Sequence, residues 1–129
     1  MIGIDSSILI DVLRGDVSLE RLQKYSDLCT SEVVVYEVSC GLYSSRNFHE
    51  KKIAQFEAIL DTFTYVFPID RRATLQAARI AGELLRTGRM IGHCDALIAG
   101  SFLANGCRKI LTRNVSDFQR VQGLEVLRV

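Results

Sequence analysis

The sequence has a single proline, four cysteines, almost no net charge and no long uncharged apolar run. With so little proline and no low-complexity stretch, a disordered chain is excluded, and 48% apolar against 24% charged residues is the balance of a compact protein. At 129 residues the chain fits one domain with one core. Cys29, Cys40, Cys94 and Cys107 lack the paired spacing of a zinc site, and nothing points to an oxidising compartment, so the cysteines are expected to be small buried hydrophobes. A formal charge of +1 creates no uniform field, so binding to a polyanion has to come from a local group of Lys and Arg. No apolar segment approaches the roughly 18 residues that span a bilayer. Asp5 and Asp11 also interrupt the stretch where a signal peptide would need apolar continuity. A soluble, cytoplasmic protein with no membrane partner is the expectation left.

What is present is alternation. Met1 to Ile4 reads as a short buried strand that delivers Asp5 at its carboxyl end. Ser6 or Ser7 is expected to cap a helix carrying Ile8, Leu9, Val12 and Leu13, closed by Gly15; Ser18 caps a second helix with Leu19, Leu22 and Tyr25 on its inner face. From Cys29 to Leu42, the β-branched run Val33, Val34, Val35 favours strand, whereas the spacing of Val34, Glu37, Val38 and Gly41 favours helix. A short strand at 28 to 30, then a helix capped by Thr30 or Ser31, reconciles the two. Another helix runs from about His49 to Thr62, with Ile53, Phe56, Ile59 and Leu60 on one face. Thr64 to Ile69 is β-branched and aromatic, and Asp70 opens a long helix with Ala73, Ala77, Ile80, Ala81, Leu84 and Leu85 inward. Gly88 and Gly92 bracket a loop; His93 to Asn105 is helical, Lys109 to Thr112 a strand, Asn114 to Val121 one or two helical turns, and Glu125 to Val129 a final edge strand. Short strands joined by helical crossovers predict an α/β domain over 1–129, with a short central parallel sheet flanked by helices on both faces.

Three acids occupy places where patterning alone would put something apolar. Asp5 ends a buried strand, and Glu37 and Asp95 each share a helical stripe with apolar residues. Ionised carboxylates are costly to bury unless paired or metal-bound, and no matching set of basic residues accompanies them. A fourth group, Thr112, Asn114 and Asp117, follows the strand ending in KILT. In an open α/β sheet, functional groups gather beyond the carboxyl ends of the strands, where Asp5 and this fourth group belong. Converging carboxylates suit a hard oxygen-seeking ion such as Mg2+, with Mn2+ as a substitute; zinc would require His or Cys.

These segments resemble the PIN-domain family. GIDSSILID looks like its opening strand and first acid, TSEVVVYEVSCGL its second motif with Glu37, GHCDALIAG its third with Asp95, and LTRNVSDFQRV its fourth with Thr112, Asn114 and Asp117. The matches occur in the family's order from residue 2 to about 121. The fourth motif departs from many relatives in having Asn114 directly after Thr-Arg, so either Asn114 or Asp117 is the fourth site residue. The resemblance implies a PIN-like fold and a metal-dependent endoribonuclease that leaves a 5′-phosphate and a 3′-hydroxyl. It further implies the toxin half of a VapBC-type pair, a homodimer neutralised by a small antitoxin. Asp5, Glu37, Asp95 and Asp117 would hold the ion, with Ser6 and Thr112 orienting a water. Arg14, Arg46, Arg89 and Arg113 are candidates for RNA contact from their nearness to the motifs. His93 is given no role.

Two other readings compete. A receiver-like phosphoacceptor module would use Asp70 after the strand TYVFPI, but it lacks an acidic pair after the first strand and a lysine after the last. A catalytically silent PIN scaffold would keep the fold and lose the chemistry.

Overall fold

A computed structural model describes residues 1–24 and 26–129. In chain order the elements are β1 (Ile2–Ile4), α1 (Ser6–Arg14), α2 (Leu19–Gln23), β2 (Leu28–Ser31), α3 (Glu32–Ser44), α4 (Glu50–Leu60), β3 (Tyr65–Phe67), α5 (Arg71–Arg86), α6 (His93–Ala104), β4 (Lys109–Leu111), α7 (Val115–Phe118) and β5 (Glu125–Leu127). All four strand pairings are parallel, in the order β3-β2-β1-β4-β5. The chain winds outward from β1 to β3, returns through α5 and α6, and restarts at β4 on the other side of β1. Right-handed crossovers then place α1 to α4 on one face and α5 to α7 on the other. The direction of winding reverses between β1 and β4, and a crevice opens there beyond the strands' carboxyl ends.

Local chemistry sets the boundaries. The Asp5 carboxylate, not Ser6 or Ser7, caps α1 by accepting from the Ile8 amide, and Gly15 ends the helix at φ 83°. Ser31 rather than Thr30 caps α3, because the Thr30 hydroxyl instead donates to the Ile4 carbonyl and ties β2 to β1. Asp70 caps α5 through the Ala73 amide. The Asp70 of the receiver reading is therefore a helix cap following an edge strand, well removed in the sheet order from Asp5.

The core is filled by Ile4, Ile8, Leu9, Val34, Phe56, Ile98, Phe102, Ile110 and Phe118, all nearly inaccessible. α6 lies close over the sheet because Gly3 leaves room for the Phe102 ring; a Cβ there would come within 2.4 Å of it. Gly100 lets α5 approach to backbone contact at Ala77 in the same way. Two assignments are corrected. Leu85 is 52% exposed, since it lies about a quarter-turn round α5 from the buried Ala77 and Leu84. Cys40 is exposed, whereas Cys29 and Cys107 are buried with their Sγ atoms 3.3 Å apart. Tyr25, expected on the inner face of α2, lies outside the described residues. No helix among the described residues is long and apolar enough to cross a membrane.

Candidate active site

Asp5 leaves the end of β1 into the crevice. Its Oδ1 accepts from Ser7 Oγ at 2.6 Å and from the Ile8 amide at 3.3 Å, and its Oδ2 accepts from the Thr112 hydroxyl at the end of β4. Thr112 Oγ1 in turn accepts from the Asn114 amide at 2.9 Å. The Asn114 side chain then donates to Asp95 Oδ2 at 2.8 Å and to Asp117 Oδ2 at 3.1 Å. One chain of hydrogen bonds thus joins β1, β4, α6 and α7, and Asn114 is its central link. The alternatives Asn114 and Asp117 lie side by side.

Glu37 approaches from α3, the helix packed against α1 and α6. Its Oε1 is buried with no hydrogen-bond partner among the described residues. Burial pushes the carboxyl above its ordinary pKa, and the Asp5 charge adds to the rise; the Ser6 hydroxyl offsets part of it. Burial also raises Asp5 despite the donors from Ser7 and Thr112. Asp95 is pushed up to about 6, first by burial, then by Glu37, Asp117 and Asp5. All four acids therefore belong to one electrostatic unit. Among the described residues the only cation within 4 Å of the four acids is Arg120, at 3.9 Å from Asp117. The remaining negative charge is uncompensated.

The raised Asp95 sets a direction for stability against pH. Its folded pKa of about 6 exceeds the ordinary 3.8, so the native state holds its proton more tightly than the unfolded state. This contribution is complete below pH 3.8 and is lost as pH rises through about 6. In chelator, the urea midpoint of the parent should fall over that window relative to Asp95→Asn. Parallel pH profiles for the two proteins would contradict the assignment.

Among the described residues, no group of three or more His, Cys, Asp or Glu side chains is placed to hold a metal ion together. The residues nonetheless fit a hard cation that keeps several of its waters and takes only one or two carboxylates directly. The donor atoms are oxygens, the acids repel one another, and Glu37 Oε1 is buried with nothing to satisfy it.

Of the four arginines named from the sequence, Arg113 is committed to Asp11 at 2.8 Å, and its backbone amide donates to Ser7 Oγ. Arg14 flanks a groove between α1, α3 and α4, and Arg46 and Arg89 are exposed. His93 is exposed at the start of α6. Sequence reasoning overlooked Ser7 and Arg120. Ser7 links Asp5 to the backbone after β4, a contact that depends on the strand order. Arg120 follows Asp117 by three residues, a spacing at which helical side chains meet, and this was the one available signal.

The PIN domain family model matches residues 2–124. The chain is 36% identical over 128 residues to Ribonuclease VapC1 of Rickettsia felis, covering 98% of this chain and 94% of that protein. It is 33% identical over 97 residues to the tRNA(fMet)-specific endonuclease VapC of Shigella flexneri, covering 75% and 71%. In structure it resembles VapBC2 from Rickettsia felis bound to a DNA fragment from their promoter, with a TM-score of 0.86, 22% identity and coverage of 100% and 99%. It also resembles VapBC-1 from nontypeable Haemophilus influenzae, with a TM-score of 0.82, 26% identity and coverage of 99% and 98%. With its acids at the β1/β4 switch point and these similarities along nearly its whole length, the chain belongs to the PIN-domain family, among the VapC-type ribonucleases.

Proposed function

We propose that the protein is a cytoplasmic, divalent-metal-dependent endoribonuclease acting as the toxin of a toxin–antitoxin pair, with Mg2+ as the working ion and Mn2+ as a substitute. The observation that carries the reading is the buried, partnerless Glu37 Oε1 beside carboxylates that raise one another's pKa. Asp5, Glu37, Asp95 and Asp117 would hold the ion, one or two of them directly and the others through its waters. When bound, such an ion supplies an acidified water and neutralises charge developing on a phosphate. Thr112 and Ser7 fix the Asp5 carboxylate, Asn114 spaces Asp95 from Asp117, and Ser6 lies beside Glu37. Water adds to phosphorus and the bond to the 3′-oxygen breaks, leaving a 5′-phosphate and a 3′-hydroxyl. The test is incubation of purified protein with mixed RNA and Mg2+, with Glu37→Gln and chelator as controls. The Shigella flexneri relative is named for tRNA(fMet), so initiator tRNA is the first defined substrate to include. Folded protein that cleaves no RNA would favour the silent scaffold.

A small antitoxin fits the groove between α1, α3 and α4, about 320 Å³, whose apolar lining includes Ile10, Leu13, Val38 and Leu42. A hydrophobic helix laid there would run beside the helix that carries Glu37 and could direct an Arg or Lys at the acids. For the homodimer, support comes from the outer face of α5. Leu75 and Leu85 are more than half exposed, and between them lie exposed Ala78 and the open position Gly82. The order large, small, small, large is the same read in either direction. Two copies crossing antiparallel would set Leu75 against Leu85 around a close central approach, the self-complementarity that a two-fold interface requires. Gly82→Arg should convert the species seen by sedimentation from dimer to monomer; an unchanged mass would remove α5 from the interface.

A further inference from the structure

We propose that the trough between α5 and the segment following α7 binds the phosphodiester backbone of the RNA strand on one side of the cleavage site. The inference rests on the nuclease reading above and adds the path that the substrate takes. The trough, about 710 Å³, is lined by Arg79, Arg89 and Arg120, with Glu83 as its one acid. In a chain with 16 basic and 15 acidic residues, three guanidiniums against one carboxylate is a marked local excess. The acid cluster repels a polyanion, so the substrate must be held by cations close to it.

Arg120 makes the trough continuous with the acids. Its Nη1 donates to the Met90 carbonyl at 2.9 Å and stands 3.9 Å from Asp117, which Asn114 joins to Asp95. A strand leaving the acids on this side meets Arg120 first and, beyond it, the guanidiniums of Arg89 and of Arg79, the latter in an exposed pair with Glu83 at 3.4 Å. Guanidinium is suited to phosphate through its planar fork of donors. Gln76, Gln119 and Gln122 add uncharged donors and acceptors, while Ile80 and Val121 give part of the floor an apolar surface. Bases and riboses can use these; a free inorganic anion would not need them. An acidic protein segment would be served by the charge, but it gives no reason for the continuity with Asp117. Arg113 is held by Asp11 at 2.8 Å, a shorter and less exposed pair than Arg79 makes with Glu83 at 3.4 Å, and Arg14 borders the apolar groove of α1, α3 and α4.

The test compares the double variant Arg79→Gln/Arg89→Gln with Arg21→Gln/Lys24→Gln, which removes the same charge from α2 and its C-cap. None of these four side chains belongs to the acid cluster, and melting temperatures check folding. Binding of a labelled single-stranded oligoribonucleotide is measured in chelator, and cleavage in Mg2+. The trough variant should bind on the order of tenfold more weakly, with a log–log salt slope smaller by about 1.4 for two lost contacts to a single strand. Its KM should rise by a similar factor at unchanged kcat, with the α2 variant near the parent. Equal losses in both variants, or none in the trough variant, would overturn the proposal. Parent protein that binds RNA through the trough arginines and cleaves nothing would remove the nuclease reading and leave the trough in place.

Discussion

Asp5→Asn, Glu37→Gln and Asp95→Asn should each lower RNA cleavage by about 10²-fold or more, and the triple variant should be little worse than any single one. A factor of 10² corresponds to about 2.7 kcal/mol of lost transition-state stabilisation. Three independent losses of that size would multiply to about 10⁶. The structure argues against independence. Glu37, Asp117 and Asp5 all raise the pKa of Asp95, and Asp5 raises that of Glu37. If the acids serve one ion, removing one member already forfeits most of what the set provides. Single-turnover rates on one defined RNA decide the matter. Full activity in any single variant would take that residue out of the mechanism, and multiplicative losses would mean separate roles. In the same assay, loss in Asp117→Asn with activity retained in Asn114→Ala would make Asp117 the fourth ligand; the reverse result would exchange them.

The second large effect is expected in stability. Asp95→Asn, melted in chelator, should match or exceed the parent, whereas Asp5→Asn should melt lower. Both changes remove a repelling charge at almost constant volume. Asp95 receives one hydrogen bond, from the Asn114 amide, and the remaining oxygen of an asparagine can still accept it. Asp5 accepts from Ser7, Ile8 and Thr112 with its two oxygens, one of them capping α1. An amide there surrenders an acceptor in a buried place, at a cost of about 1 kcal/mol or more. Excess Mg2+ should then stabilise the parent by about 2.7 kcal/mol at a hundredfold excess over Kd, because only the native state assembles the oxygens. Asp95→Asn should gain less. Equal gains for parent and variant would place the ion elsewhere on the molecule.

Much of the fold was legible because its signals are local. The strand segments at residues 2–4 and 109–111, the capping residues Ser18 and Asp70, and the threes-and-fours spacing in α1, α4 and α5 each depend on near neighbours. The segment 28–44 was legible only after its β-branched residues were weighed against its periodicity, and it divides at Ser31. The three errors have a common origin. A cap at Ser6 or Ser7, an inward Leu85 and a buried Cys40 are all reasonable for an isolated helix. Which carboxylate reaches the first amides of α1, and which side of α5 or α3 meets a neighbour, depends on packing between distant segments.

The sequence by itself determined that the protein is a single α/β chain with acids at strand ends and on otherwise apolar helix stripes. The reason is that burying an unpaired carboxylate is too unfavourable to pass for ordinary patterning. Tertiary structure alone decided how those acids meet. The order β3-β2-β1-β4-β5 sets Thr112 beside Asp5 across 107 positions of sequence and turns Asn114 toward Asp95 and Asp117. It also separates Arg113, neutralised by Asp11, from Arg120 and the trough beside it. Hydrogen bonds and charge interactions act through space, over a few ångströms, and the distance between their members along the chain carries almost no information about whether they form.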